Sequence, residues 1–176
     1  EEGVVVQSKP ITMHILEAGN LAKADTALFG MGGSSDPFVE VKWSTGKFMH
    51  RTKVKNDTQD PVWEDEVVVL HIPTEINTNK AELELHLDVW DKDMSGKGEF
   101  LGRVAFTQER LLEWCENPPK RGVEEALGKV MTWNAAKNKL VQGTLAVGFT
   151  RGEDEDADSP EMLKKKMKHA PQLGLR

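Results

Sequence analysis

Alternating apolar and polar positions run through most of this chain and predict β-strands. In Ala81–Val89, Leu83, Leu85, Leu87 and Val89 fall on one face while Glu82, Glu84, His86 and Asp88 fall on the other. Ile11, Met13 and Ile15 repeat that period of two, as do Val39, Val41 and Trp43. Val67–Ile72 is a more fully apolar run rich in β-formers. Phe100–Phe106 and Leu145, Val147 and Phe149 supply further strands. Turn formers at Ser44–Lys47, Asp57–Pro61 and Ser95–Gly98 separate them, so strands recur about every twelve residues. That spacing predicts an all-β, antiparallel sandwich rather than βαβ units. One helix interrupts it: Thr107 suits the cap, Glu109 the positive end, and Leu111, Leu112 and Trp114 or Cys115 form the apolar stripe before Asn117-Pro-Pro119. A second short helical turn is expected within residues 120–130.

The predicted loops concentrate acids. Asp25 and Asp36 lie in a Gly/Ser-rich stretch between the first two strands, and Asp91, Asp93 and Glu99 flank a second one. Asp by itself favours turns and caps, which accounts for any single one. Five converging carboxylates are different, because two like charges about 4 Å apart repel by roughly 4 kcal/mol at an effective dielectric near 20. An oxygen-only set that gathers such acids suits a hard divalent cation, calcium above all. Asp91-x-Asp93-x-Ser95-Gly96 also opens like an EF-hand loop, but Gly102 stands where the closing Glu belongs and the flanks are strands, so that reading is set aside.

Composition narrows the classes. The chain has 176 residues, is 38% hydrophobic and carries a net charge of −6, which argues against nucleic acid as a partner. No apolar run reaches the roughly 18 residues of a membrane span. A lone Cys115 excludes an internal disulfide and suggests a cytoplasmic setting. The start at Glu1-Glu2 reads as a piece of a longer parent protein. There is no Gly-x-Ser-x-Gly elbow, zinc helix or P-loop, and the five histidines are scattered, so an enzyme is not expected. From Gly152 an acidic run gives way to Ser159-Pro160 and a lysine run, a polar tail over 152–176 after a domain at 9–151.

In order along the chain, Ile15–Leu21, Ser35-Asp-Pro-Phe-Val39, Asp60-Pro-Val-Trp63, Val89-Trp-Asp-Lys-Asp93 and Phe100-Leu-Gly102 together resemble the C2 domain, a β-sandwich that binds calcium and membranes through loops at one end. Gly143–Phe149 resembles a closing strand, which favours an eight-stranded sandwich of type II topology, where the last strand completes the sheet; Val4-Val-Val6 is the rival for a first strand. The resemblance implies calcium ligands at Asp36, Asp91, Asp93 and Glu99, the last in place of a more usual Asp. Counted without gaps, the remaining ligand position falls on Gly30; Asp25 takes it if residues 26–30 are an insertion, and the first loop of extended synaptotagmins is similarly elongated. Two ions are then expected, or one weak ion if Asp25 does not serve.

Calcium would turn a negative loop end into one attractive to anionic phospholipid, with Leu28, Phe29, Met31 and Met94 available to enter the interface and Lys97 to touch headgroups. A second site is expected on the strand carrying Arg51, Lys53 and Lys55, beside Lys42, where protein kinase C-like members hold a lysine cluster that attracts phosphoinositides; Glu40 stands where another lysine would be. The implied function is a calcium-dependent, peripheral membrane-binding module for tethering, trafficking or lipid transfer. A calcium-independent protein-interaction module on the same fold is the alternative.

Overall fold

The computed structural model describes residues 6–23, 34–94 and 96–153. Eight strands and one helix follow in the order β1 (Ser8–Gly19), β2 (Pro37–Trp43), β3 (Phe48–Arg51), β4 (Val67–Pro73), β5 (Glu84–Asp93), β6 (Gly96–Thr107), α1 (Gln108–Glu116), β7 (Val123–Ala126) and β8 (Thr144–Arg151). They make two four-stranded antiparallel sheets, ordered β4-β1-β8-β7 and β3-β2-β5-β6. The alternating residues meet between the sheets as expected: Ile11, Met13 and Ile15 face Val39, Val41, Leu85, Leu87 and Val89 in one core, all essentially solvent-free. Trp63 is wholly buried beneath the loop end, where its indole Nε1 donates to Lys53 O at 2.9 Å.

β8 lies between β1 and β7, so the last strand completes the sheet, the type II arrangement. Val6 precedes β1 and is exposed, while Val4 and Val5 lie outside the described residues. The helix starts where its sequence signals place it, with Arg110 N donating to the Thr107 hydroxyl at 3.2 Å. Its stripe of Leu111, Trp114 and Cys115 is buried, and Trp114 joins Phe106 and Phe149 in an aromatic cluster at the side of the first sheet. One expectation fails: within 120–130 the chain forms β7 rather than a helical turn. β8 otherwise presents an unpaired edge, and the ladder Val123↔Val147 to Ala126↔Thr144 satisfies it despite the weak β propensity of Glu124 and Glu125.

Gly102, where an EF-hand would require Glu, sits at φ 137°, and a Cβ there would lie 2.5 Å from Leu127 Cβ. The backbone approach of β6 to the 127–143 segment thus excludes any side chain at this position.

Candidate functional site

Strand pairing brings Asp36 and Asp91, at the ends of the two acidic stretches, together. β2 runs antiparallel to β5 with Pro37 opposite Asp91, so Asp36 and Asp91 meet at the strand ends although 55 residues separate them. Lys92 N donates to Asp36 O at 2.9 Å, and Asp36 N donates to Asp91 Oδ1 at 2.6 Å. Asp57 N then donates to Asp36 Oδ1 at 2.7 Å, and the Ser34 hydroxyl donates to the Asp57 carboxylate. Ser35, fully buried, ties the same stretch to Ala22 O at 2.8 Å. In the sequence Asp57 is only a turn former, and its positive φ of 55° is part of that turn; its place against Asp36 depends on a loop packing that no local pattern encodes.

Electrostatics mark Asp91 out. Burial pushes its carboxyl above the ordinary aspartate range; the Asp36 amide opposes this, and the neighbouring Asp36 and Asp93 charges add to the rise. Among the described residues no lysine or arginine forms an ion pair with Asp36 or Asp91. Asp93 closes the β5–β6 hairpin opposite Gly96, and Glu99, exposed, lines a hollow of about 480 Å³ beside Trp90, Phe100 and Leu140. Asp25 and Met31, with Leu28 and Phe29, lie outside the described residues. Among those described, no group of three or more His, Cys, Asp or Glu side chains stands close enough to hold a metal by itself. What fits a divalent cation is the chemistry of the pair: two adjoining carboxylates, one buried and held above its ordinary pKa by desolvation and like charge, with no basic counterpart among the described residues.

The second expected site is differently built. β3 ends at Arg51, so Lys53 and Lys55 leave the strand. On the outer face of the second sheet Arg51 donates to Glu40 Oε2 at 3.0 Å and lies 5.0 Å above the Phe38 ring. Lys97 donates to Glu40 Oε1 at 2.8 Å over the ring of Trp90. Lys42 stands 3.5 Å from Asp88, which Arg103 grips through two bonds of 2.6 and 2.9 Å. Burial would raise the pKa of Glu40, but the hydrogen bonds and charges of Lys97 and Arg51 outweigh it and hold the carboxyl below its ordinary value. Lys42, Arg51 and Lys97 are therefore already engaged with buried acids. Lys53 is exposed, and Met94 projects fully into solvent at the tip of the β5–β6 hairpin.

A sandwich with this strand order is the architecture of a known family of membrane- and lipid-binding modules. The chain belongs to the C2 domain family, whose model matches residues 9–121. RasGAP-activating-like protein 1 from Homo sapiens is 32% identical over 114 residues, covering 65% of this chain and 12% of that protein. Extended synaptotagmin-1 from Mus musculus is 38% identical over 105 residues, covering 58% and 9%. The chain thus spans about a tenth of the length of these relatives. Among solved structures, the calcium-bound pair of C2 domains from extended synaptotagmin 2 superposes with a TM-score of 0.58 at 23% identity, over 82% of this chain and 45% of that one. A C2 domain of plant extended synaptotagmin 1 gives 0.56 at 21% identity, over 84% and 97%. Human GIVD cytosolic phospholipase A2 gives 0.57 at 23% identity, over 89% of this chain but only 18% of its own, a module carried by an enzyme. At these identities the structural likeness concerns the fold.

Proposed function

We propose that this domain binds anionic phospholipid membranes in a calcium-dependent manner, as one module of a larger protein that tethers membranes or moves lipids between them. One observation carries the reading: Asp36 and Asp91, distant in sequence, adjoin at a loop end where burial and like charge resist ionisation of Asp91 and no cation among the described residues relieves it. Asp36, Asp91 and Asp93 would hold the ion, with Asp25 and Glu99 completing the set for two ions. Calcium coordinates oxygen flexibly and keeps open positions that phosphate oxygens of lipid can take. Met94 then enters the interface, as would Met31 from the first loop, each contributing about 1.5–3 kcal/mol on full burial. Lys53, with Lys42 and Arg51 behind it, would add attraction for phosphoinositides, reduced by the internal pairing of the latter two.

Sedimentation with phosphatidylcholine/phosphatidylserine vesicles tests the proposal. At physiological salt, pelleting should rise steeply with calcium and fall back to a weak basal level with chelator, and Asp91→Asn with Asp93→Asn should abolish the calcium-dependent part. Equal pelleting with and without calcium, unchanged in that variant, would reject it. No pelleting in either condition would favour a protein-interaction module on the same fold.

A further inference from the structure

A fourth segment reaches the same end of the sandwich. Residues 127–143 join β7 to β8, a connection longer than the 12–15 residues or so that structureless loops usually have. The segment is tied down by hydrogen bonds and packing. Leu127 N donates to Gly143 O at 2.9 Å, Gly128 and Arg103 exchange both backbone hydrogen bonds, and buried Asn138 bridges both polar groups of Val130 at 2.8 and 3.0 Å. Trp133 packs edge-on to Phe100 at 4.8 Å and lies beneath the Arg103 guanidinium. Gln142 Nε2 donates to Asn20 O at 3.0 Å where the first acidic loop begins, and a Cβ on Gly143 would collide with Gly19 O. Residues 134–140 form the far wall of the hollow that Glu99 lines.

The charge of this segment opposes that of the chain. Between Gly128 and Gly143 there are three lysines and no acid, in a protein of net charge −6. Lys129, Lys137 and Lys139 are exposed, and among the described residues none of them forms an ion pair. Met131 is 88% exposed in their midst. A folded, basic segment with an exposed apolar side chain, adjoining Glu99 and Asn20, matches an anionic lipid surface in both charge and hydropathy.

We propose that residues 127–143 form a third membrane-contacting element, in which Lys129, Lys137 and Lys139 meet lipid phosphates and carboxylates while Met131 enters the interface. This rests on the membrane-binding reading above but not on calcium. The test therefore uses chelator and the Asp91→Asn/Asp93→Asn protein, in which two repelling charges are gone. Lys129→Gln, Lys137→Gln and Lys139→Gln are added together; Leu127, Trp133 and Asn138, which hold the segment, stay.

At about fivefold per lysine, affinity for phosphatidylserine-containing vesicles at low salt should fall on the order of 100-fold, with no change on pure phosphatidylcholine. A solvent-sensitive dye on Met131→Cys, Cys115 being buried, should report transfer out of water. Unchanged affinity in the triple variant overturns the proposal. So does a dye that stays aqueous on vesicles while soluble polyglutamate binds in a lysine-dependent way, the outcome that marks an acidic protein partner. Loss of the calcium reading would show instead as wild-type pelleting indifferent to calcium, whatever the lysines do.

Discussion

Two pairs of acids lie a few residues apart along β2 and β5, Asp36 just before β2, and meet opposite fates. In the middle of the second sheet Glu40 faces Asp88 across β2 and β5, and both are buried. Three or four residues along each strand, at the loop end, Asp36 adjoins Asp91. The first pair is surrounded by Arg51, Lys97, Lys42 and Arg103, and Glu40 ionises more readily than an ordinary glutamate. The second has no such company among the described residues, and Asp91 ionises less readily than an ordinary aspartate. Glu40 and Asp91 are buried to a similar depth, so burial alone does not decide the sign of the shift; the presence of a counter-charge does. The mid-sheet acids are completed by the protein itself. The loop-end acids have no counter-charge among the described residues.

The largest effect should come from breaking the completed pair. Arg103→Leu removes both charged donors to Asp88, whose side chain has no exposed surface, and leaves a buried carboxylate with only Lys42 at 3.5 Å. Destabilisation of about 3–5 kcal/mol is expected from denaturant unfolding. Asp88→Leu in the same protein should recover much of it, since two apolar groups need no partner. A small loss in the single variant would show that Asp88 is not held by Arg103.

At the loop end the same kind of change should act in the other direction. Without calcium, Asp91→Asn keeps an oxygen to accept from Asp36 N and removes a repelled charge, so the melting temperature should rise by a few degrees. With calcium, the proposed site should reverse the order: the wild-type protein should gain about 2.7 kcal/mol at a free concentration 100 times its dissociation constant, and the variant little. Scanning calorimetry in both conditions reads the crossing. A variant less stable than wild type in chelator would mean that Asp91 is satisfied without an ion.

The alternation of Leu85, Leu87 and Val89 made the sandwich legible, because period-two apolar residues leave few other ways to be buried. Thr107 and Asn117-Pro-Pro119 fixed the helix for equally local reasons. The meeting of Asp36 with Asp91 was legible as an expectation, since acids at strand ends imply a shared end once the strands pair. β7 was not, because Val123–Ala126 becomes a strand only through the open edge of β8. Nor was the burial of Glu40 and Asp88: alternation placed them on the outer, polar face, and it is the overlying Arg51, Lys97, Arg103 and Trp133 that shut water out. The placement of residues 127–143 beside Glu99 likewise depends on Trp133 finding Phe100 across the fold.

Acid titration should separate the two pairs by sign. The folded protein retains the Asp91 proton to higher pH than the unfolded chain, so between the ordinary aspartate range and the raised value the native state binds more protons and stability falls as pH rises. Calcium binding at the proposed site would need the ionised form, so it should weaken as pH falls through that raised value. Glu40 behaves oppositely: its lowered folded pKa supplies stability above the ordinary glutamate range that is lost as pH falls toward the folded value. Subtracting the stability profiles of Asp91→Asn and Glu40→Gln from that of the wild type should give slopes of opposite sign. Slopes of one sign would mean that the cations around Glu40 do not set its ionisation.

The smallest expected effect concerns lipid, and it asks whether the completed pair conceals a headgroup site. Glu40→Gln keeps the shape and an acceptor for Arg51 and Lys97 but releases one unit of charge from their grip. If those cations face the membrane, affinity for phosphoinositide-containing vesicles should rise about fivefold in chelator, the equivalent of one cation made available. The structure limits the gain, because Lys97 remains over Trp90 and Arg51 over Phe38, so neither side chain becomes fully mobile. Lys42 is unaffected, since its partner is Asp88. An increase confined to phosphoinositide and absent on phosphatidylserine would make the outer sheet face a headgroup site that Glu40 holds in check. No increase on either would leave Arg51 and Lys97 as structural cations, whose task is to let an acid be buried on this strand.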